Sequence, residues 1–185
     1  MQTKSVIKSV IMLGDAAVGK TSLVRRFVVD QFDDSYITTL GAKPMEKDIR
    51  VIGKDAIIEL RMILWDIMGQ KNYERVHKDM FEGINGGILV CDLTKPETLR
   101  SLGEYWIPTF FEYAGKVPMV LMANKVDLKE EIKTDIKDIN ALLASFQMKD
   151  GSHVPFYLTS AKTGENVQVG FEKLGELLIK DMGLL

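Results

Sequence analysis

The sequence predicts an α/β fold in which helices cover both faces of a mostly parallel sheet. Three observations carry that expectation. Short apolar runs rich in β-branched residues alternate with amphipathic segments of helical spacing. The first run, Val6 to Leu13, leads into a helix-patterned segment, Ser22 to Val29, through a loop fitting G-x-x-x-x-G-K-[ST]. Gly14, Asp66, Asn124 and Ser160 each fall just past a predicted strand, where open α/β sheets hold their ligands.

The elements follow in order. After the first strand, loop and helix comes a polar stretch from Asp30 to Lys43. Lys47 to Ile52 and Ala56 to Trp65 read as two strands joined by Gly53-Lys54-Asp55, a hairpin signal that adds one antiparallel edge strand. Tyr73 to Phe81 is patterned as a short helix, and Gly87 to Asp92 as a buried strand. Glu97 to Tyr113 reads as an aromatic-rich helix in which Pro108 predicts a kink or break. Val117 to Ala123 is another buried strand. The residues Ile132, Ile136, Ile139, Leu142, Leu143 and Phe146 then recur at helical spacing. Val154 to Thr159 is the last strand, Met148 to His153 a surface loop before it, and Val167, Phe171, Leu174, Leu177 and Leu178 mark the last helix.

Bulk properties narrow the function. The 185 residues suit one domain over 1–185, with 46% hydrophobic and 27% charged residues, ordinary globular values. A net charge of −2 offers no basic face for nucleic acid. The start of the chain carries no signal-peptide pattern, and no apolar run approaches a membrane span. The single cysteine, Cys91, lies in an apolar strand, which favours a buried hydrophobe and a cytoplasmic setting. His77 and His153 have no ligand-like partners in sequence, which points to structural or surface roles.

The stretch Gly14 to Thr21 carries the first chemistry. Gly14 and Gly19 let the backbone curl into a nest of amide donors, and the following helix adds its positive end. Lys20 supplies a charge for phosphates and the Thr21 hydroxyl can ligate Mg²⁺. Asn124-Lys125-Val126-Asp127 adds a base-reading element. An Asp127 carboxylate can accept from both N1–H and N2–H₂ of guanine, whereas adenine offers neither group in that arrangement. Unpaired buried polar groups then penalise the wrong ligand by about 10⁴-fold. A backbone N–H in Ser160-Ala161-Lys162 can hold the guanine O6.

With these motifs, the sequence resembles the Ras superfamily of small GTPases, nearest its Rab branch, from Val6 to about Met182. The likeness rests on Gly14–Thr21, Thr39-Leu40-Gly41, Trp65-Asp66-Ile67-Met68-Gly69-Gln70, Asn124–Asp127 and Ser160–Lys162. The resemblance implies a P-loop NTPase three-layer sandwich with a six-stranded sheet and five helices, working as a switch between GTP and GDP with Mg²⁺. It implies nucleotide contacts from Asp15, Ala16, Ala17, Val18, Gly19, Lys20, Thr21 and Ser22, with Phe32 against the base and Tyr36 over the phosphates. It places Asn124, Lys125, Asp127, Ser160, Ala161 and Lys162 around the base. Thr21, Thr39 and Asp66 would hold the metal, Asp66 through a water, and the N–H groups of Thr39 and Gly69 would bind the γ-phosphate. Gln70 would orient the attacking water and, with Lys20, is a candidate catalytic residue. Loss of the γ-phosphate would relax the switch loops at about 30–43 and 66–82. An exchange factor, a GTPase-activating protein and effectors are the implied partners of a monomer.

Several positions depart from the family pattern. Met68 replaces a small residue beside Gly69 and either slows hydrolysis, shifts the Gly69 amide or points away. Ala16 and Ala17 stand where glycine is common, and no arginine lies in the first switch. The expectation is slow intrinsic hydrolysis that a partner's arginine would raise by about 10³–10⁵-fold. Lys71 replaces a usual glutamate, which puts ordinary exchange-factor recognition in question. Pro44 and Met80 replace aromatics of the effector surface near Trp65. The sequence stops at Leu185 with no prenylation cysteine, so no direct lipid anchor is expected, and membranes would be reached through partners. Two alternatives stay open: a nucleotide-loaded scaffold with little hydrolysis, and an ATP-using P-loop enzyme that would have no use for Asn124–Asp127.

Overall fold

The structure is a computed structural model that describes residues 2–34, 42–67, 69 and 74–185. Its six strands are β1 (Gln2–Leu13), β2 (Ala42–Ile52), β3 (Ala56–Ile67), β4 (Gly86–Asp92), β5 (Met119–Asn124) and β6 (Phe156–Leu158). They lie side by side in the order β2–β3–β1–β4–β5–β6. β2 runs antiparallel to β3, and every other pairing is parallel. Five helices accompany them: α1 (Lys20–Val29), α2 (Glu74–Phe81), α3 over 96–114, α4 (Ile136–Ala144) and α5 (Val167–Asp181). This is the fold class expected from the sequence.

The two faces of the sheet bury different helices. Leu23 and Phe27 of α1 and Phe171, Leu174 and Leu178 of α5 pack on one face, where the rings of Phe27 and Phe171 stack at 4.2 Å. Phe81 of α2, Trp106 and Phe110 of α3, and Ile139 and Leu143 of α4 pack on the other. β4 and β5 are covered on both sides, so every residue in them is buried and both read as unbroken apolar runs. β3 alternates instead, with Ile58, Leu60, Met62 and Leu64 inward and Glu59 and Arg61 outward. β2 is the outer edge, and Pro44 on it sits opposite Trp65. A proline is tolerated there because an edge strand can do without one donor.

Local patterning was overridden in four places. β1 starts at Gln2 rather than Val6, because β3 pairs with it from Gln2↔Ala56 onward while β4 joins only at Val10. The helix expected to kink or break at Pro108 continues instead through a π-helical turn, Leu102–Trp106, in which the Ile107 N–H donates to the Leu102 carbonyl. Pro108 has no N–H for the Glu104 carbonyl, and its ring would crowd that carbonyl in a regular α-turn; the wider turn relieves both problems. Ile132 and Phe146 fall outside α4. The Asp135 side chain accepts from the Lys137 N–H and caps the helix, so it begins at Ile136. Met148 is buried although its neighbours form a surface loop, and its sulfur accepts from the Met119 N–H.

Candidate functional site

The loop between β1 and α1 is shaped by two crowded glycines. Gly14 has φ 149°, and a Cβ there would run into the Val90 carbonyl of β4. Gly19 has φ 106°, and a Cβ there would meet the Asn124 amide. Between them Ala17 carries a methyl at φ 64°, in the left-handed region, so the loop holds some backbone strain at an exposed position. The Lys20 side chain folds back, its Nζ donating to the carbonyls of Gly14 and Asp15 at 2.8 Å each. Burial pushes its pKa down to about 8, against the opposing pull of Asp66 and Asp15. Ser22 follows in the first turn of α1.

Beside this loop the end of β3 delivers Asp66, which is buried. Its Oδ2 accepts from the Thr21 hydroxyl at 2.5 Å. A hydroxyl and a carboxylate in contact are hard oxygen donors suited to Mg²⁺. No group of three or more acidic, histidine or cysteine side chains gathers among the described residues. Mg²⁺ typically binds through one or two protein oxygens and completes its shell with water and substrate phosphates. The Gly69 backbone lies close against the loop: a Cβ on it would collide with the Ala16 nitrogen, the Asp15 carbonyl carbon and Lys20 Nζ. Tyr36, Thr39, Met68, Gln70 and Lys71 lie outside the described residues.

Asn124 ties the whole region together. From the end of β5 its Nδ2 donates to the Val18 carbonyl at 3.0 Å, while its Oδ1 accepts from the Ala161 N–H at 3.2 Å and the Thr159 hydroxyl at 3.3 Å. The amide thus joins the loop after β1 to the segment after β6. Lys125, at φ 70°, extends its Nζ to the Ala17 carbonyl at 2.9 Å and to Asp92 at 2.7 Å. Burial would raise the Asp92 pKa, but bonds from Lys125 and from the Thr94 hydroxyl and N–H hold it below the usual carboxylate value. Asp127 accepts from the Ser160 hydroxyl at 2.7 Å, and Ser160 in turn accepts from the Thr163 N–H. Its second carboxylate oxygen makes no hydrogen bond among the described residues. Lys162 is exposed, and Phe32 is half-buried against the core that α1 and α5 share.

Four contributing residues escaped the sequence reading. Arg26 of α1 donates from Nε to the Ala161 carbonyl at 2.8 Å and from Nη2 to the Lys162 carbonyl at 2.6 Å, fixing that loop from below. Asp92 was visible only as a strand end, although an acid closing an apolar run is a readable signal. Ser101 and Trp106 of α3 both donate to Asp15 Oδ1, at 2.8 Å each. The Asp15 side chain is therefore engaged by α3, which leaves its backbone to line the loop.

Residues 9–180 match the Ras family. The chain is 32% identical over 178 residues to the Ras-related protein Rab7 of Drosophila melanogaster, covering 94% of this chain and 80% of that protein. It is 31% identical over 176 residues to the Ypt/Rab-type GTPase YPT7 of Saccharomyces cerevisiae, covering 92% and 80%. It is 29% identical over 178 residues to the Ras-related protein Rab-9A of Rattus norvegicus, covering 94% and 83%.

Proposed function

This chain belongs to the Ras family and is a small GTPase, and from that premise we propose that it is a slow guanine-nucleotide switch built as one domain over 1–185. One observation carries the reading: Asn124 bonds Val18 on one side and Ala161 on the other, so the loop for phosphates and the two segments for a base form one hydrogen-bonded unit. A nucleotide that spans them is held at both ends.

The roles follow from the chemistry at each position. The amides from Asp15 to Ser22 and the Lys20 ammonium receive the phosphates. Lys20 Nζ now rests on two carbonyls, and phosphate oxygens replace those weaker acceptors. Asp127 accepts from the guanine edge, Ala161 and Lys162 supply backbone donors, and Lys125 and Phe32 flank the base. Thr21, Asp66 and Thr39 would hold Mg²⁺, which would supply charge neutralisation for phosphoryl transfer. Gly69 donates its N–H to the γ-phosphate, Tyr36 closes over the phosphates, and Gln70 orients the water for in-line attack. The switch stretches, about 30–43 and 66–82, present the bound state to an exchange factor, a GTPase-activating protein and effectors. The likeness to Rab proteins supports work in membrane traffic from the cytoplasm, with recruitment through partners and the chain acting as a monomer. No described helix is long and apolar enough to cross a membrane.

The test is phosphate release from GTP by the purified protein, with Gln70→Leu alongside and ATP as competitor. The expected result is slow release that falls at least tenfold in the variant while GDP affinity is kept. Equal rates for the two proteins would remove the role given to Gln70. Equal competition by ATP would overturn the guanine reading.

A further inference from the structure

The π-helical turn of α3 does more than accommodate Pro108. Ser101 and Trp106 are five positions apart, which in a regular α-helix would set them about 140° from each other around the axis. An i→i+5 turn closes on the residue five along and so brings both onto one side. Both then donate to the same atom, Asp15 Oδ1, at 2.8 Å each. Neither donor has freedom to wander: Trp106 is fully buried and Ser101 nearly so. Gly103, inside the turn, lies so close to Leu142 of α4 that a Cβ would strike its side chain.

We infer that Trp106 is a positioning residue for the nucleotide reaction, its indole N–H fixing Asp15, the second residue of the phosphate loop. The inference rests on the reading that the loop from Gly14 to Thr21 holds the nucleotide phosphates. The carbonyl of Asp15 is one of the two acceptors for Lys20 Nζ, so the carboxylate that Trp106 grips belongs to the residue that also steers the phosphate-facing charge. The indole ring is packed as well. His77 of α2 packs on it with ring centroids 4.8 Å apart, and His77 Nδ1 lies 3.0 Å from the hydroxyl of the neighbouring Tyr105. Trp106 thus touches both Asp15 of the phosphate loop and His77 of α2.

A dissociation-rate cycle tests this on the full chain, with fluorescently labelled GDP chased by excess GDP. Trp106→Phe keeps the aromatic packing and deletes the N–H donor; Asp15→Ala deletes the acceptor. Hydrogen bonds to a charged acceptor are among the strong ones, and Ser101 still holds Asp15 in the first variant, so dissociation should quicken by about tenfold. The double variant should release GDP no faster than the faster single, because both remove the same link. Single effects that multiply, or a Trp106→Phe rate within twofold of wild type, would overturn the inference. If Trp106→Phe does not fold, Asp15→Ala decides alone: faster release together with faster solvent exchange of the Trp106 indole proton is expected, and no change in either refutes it. Wild-type protein that retains GDP no better than ADP would instead break the guanine reading, a separate outcome.

Discussion

Replacing Asn124 by alanine should loosen three segments at once. The substitution deletes the donor to the Val18 carbonyl and the acceptor for the Ala161 N–H and the Thr159 hydroxyl, all within a buried site. Alanine supplies no substitute, and it leaves a gap against Gly19, whose backbone abuts the amide. Leaving a buried donor or acceptor unmade costs about 1–3 kcal/mol. With the Val18 carbonyl and the Ala161 N–H both affected, the expected loss is about 4 kcal/mol, the Thr159 hydroxyl being free to rotate toward another partner. The assay is urea unfolding at a fixed excess of GDP, paired with the GDP dissociation rate. Dissociation should quicken by at least about a hundredfold, since each 1.4 kcal/mol is a factor of ten. A stability loss under about 1 kcal/mol with unchanged dissociation would show that the amide is not the tie between the loops.

Three other outcomes follow from single residues. Lys20 has a lowered pKa, about 8, in the free protein, and phosphates bind its charged form, so above that pH nucleotide binding takes up a proton. GDP affinity should therefore fall about tenfold between pH 7 and pH 9, with proton uptake visible by calorimetry in buffers of different ionisation enthalpy; flat affinity would show that the ammonium is not used. The buried Thr134 hydroxyl has no hydrogen-bond partner among the described residues, so Thr134→Val should stabilise the fold by about 1 kcal/mol, a rise of about 2–4 °C in Tm by scanning calorimetry. Burial, and secondarily the charge of Asp92, pushes the Cys91 thiol up to about 12, so it should resist a thiol reagent at pH 7.5 when folded and react fully in denaturant.

The parts of the site written in consecutive residues were legible; the parts that depend on long-range packing were not. Gly14 to Thr21 and Asn124 to Asp127 announce a loop and a strand end because their spacing is itself the geometry. Arg26 gave no such signal, since it reaches the Ala161 carbonyl across 135 positions and reads locally as a polar residue on a helix. Trp106 lies 91 positions from Asp15, and only a π-turn turns it that way. Its trace in the sequence, Pro108, pointed to an irregularity without saying how packing would resolve it. Ile132 shows the opposite failure: an apolar residue at helical spacing was excluded by the stronger local demand of the Asp135 cap.

The outer strand β2 has a consequence for behaviour in concentrated solution. An open strand edge is a template on which a second chain can pair and aggregate. Here Pro44 removes one ladder donor, and Glu46, Asp48 and Arg50 follow at every second position. Asp48 and Arg50 are matched across the strand by Arg61 and Glu59. An incoming strand would meet a missing donor and, at Asp48 and Arg50, charges already paired with their own neighbours. The rim is thereby disarmed as a seed for fibres.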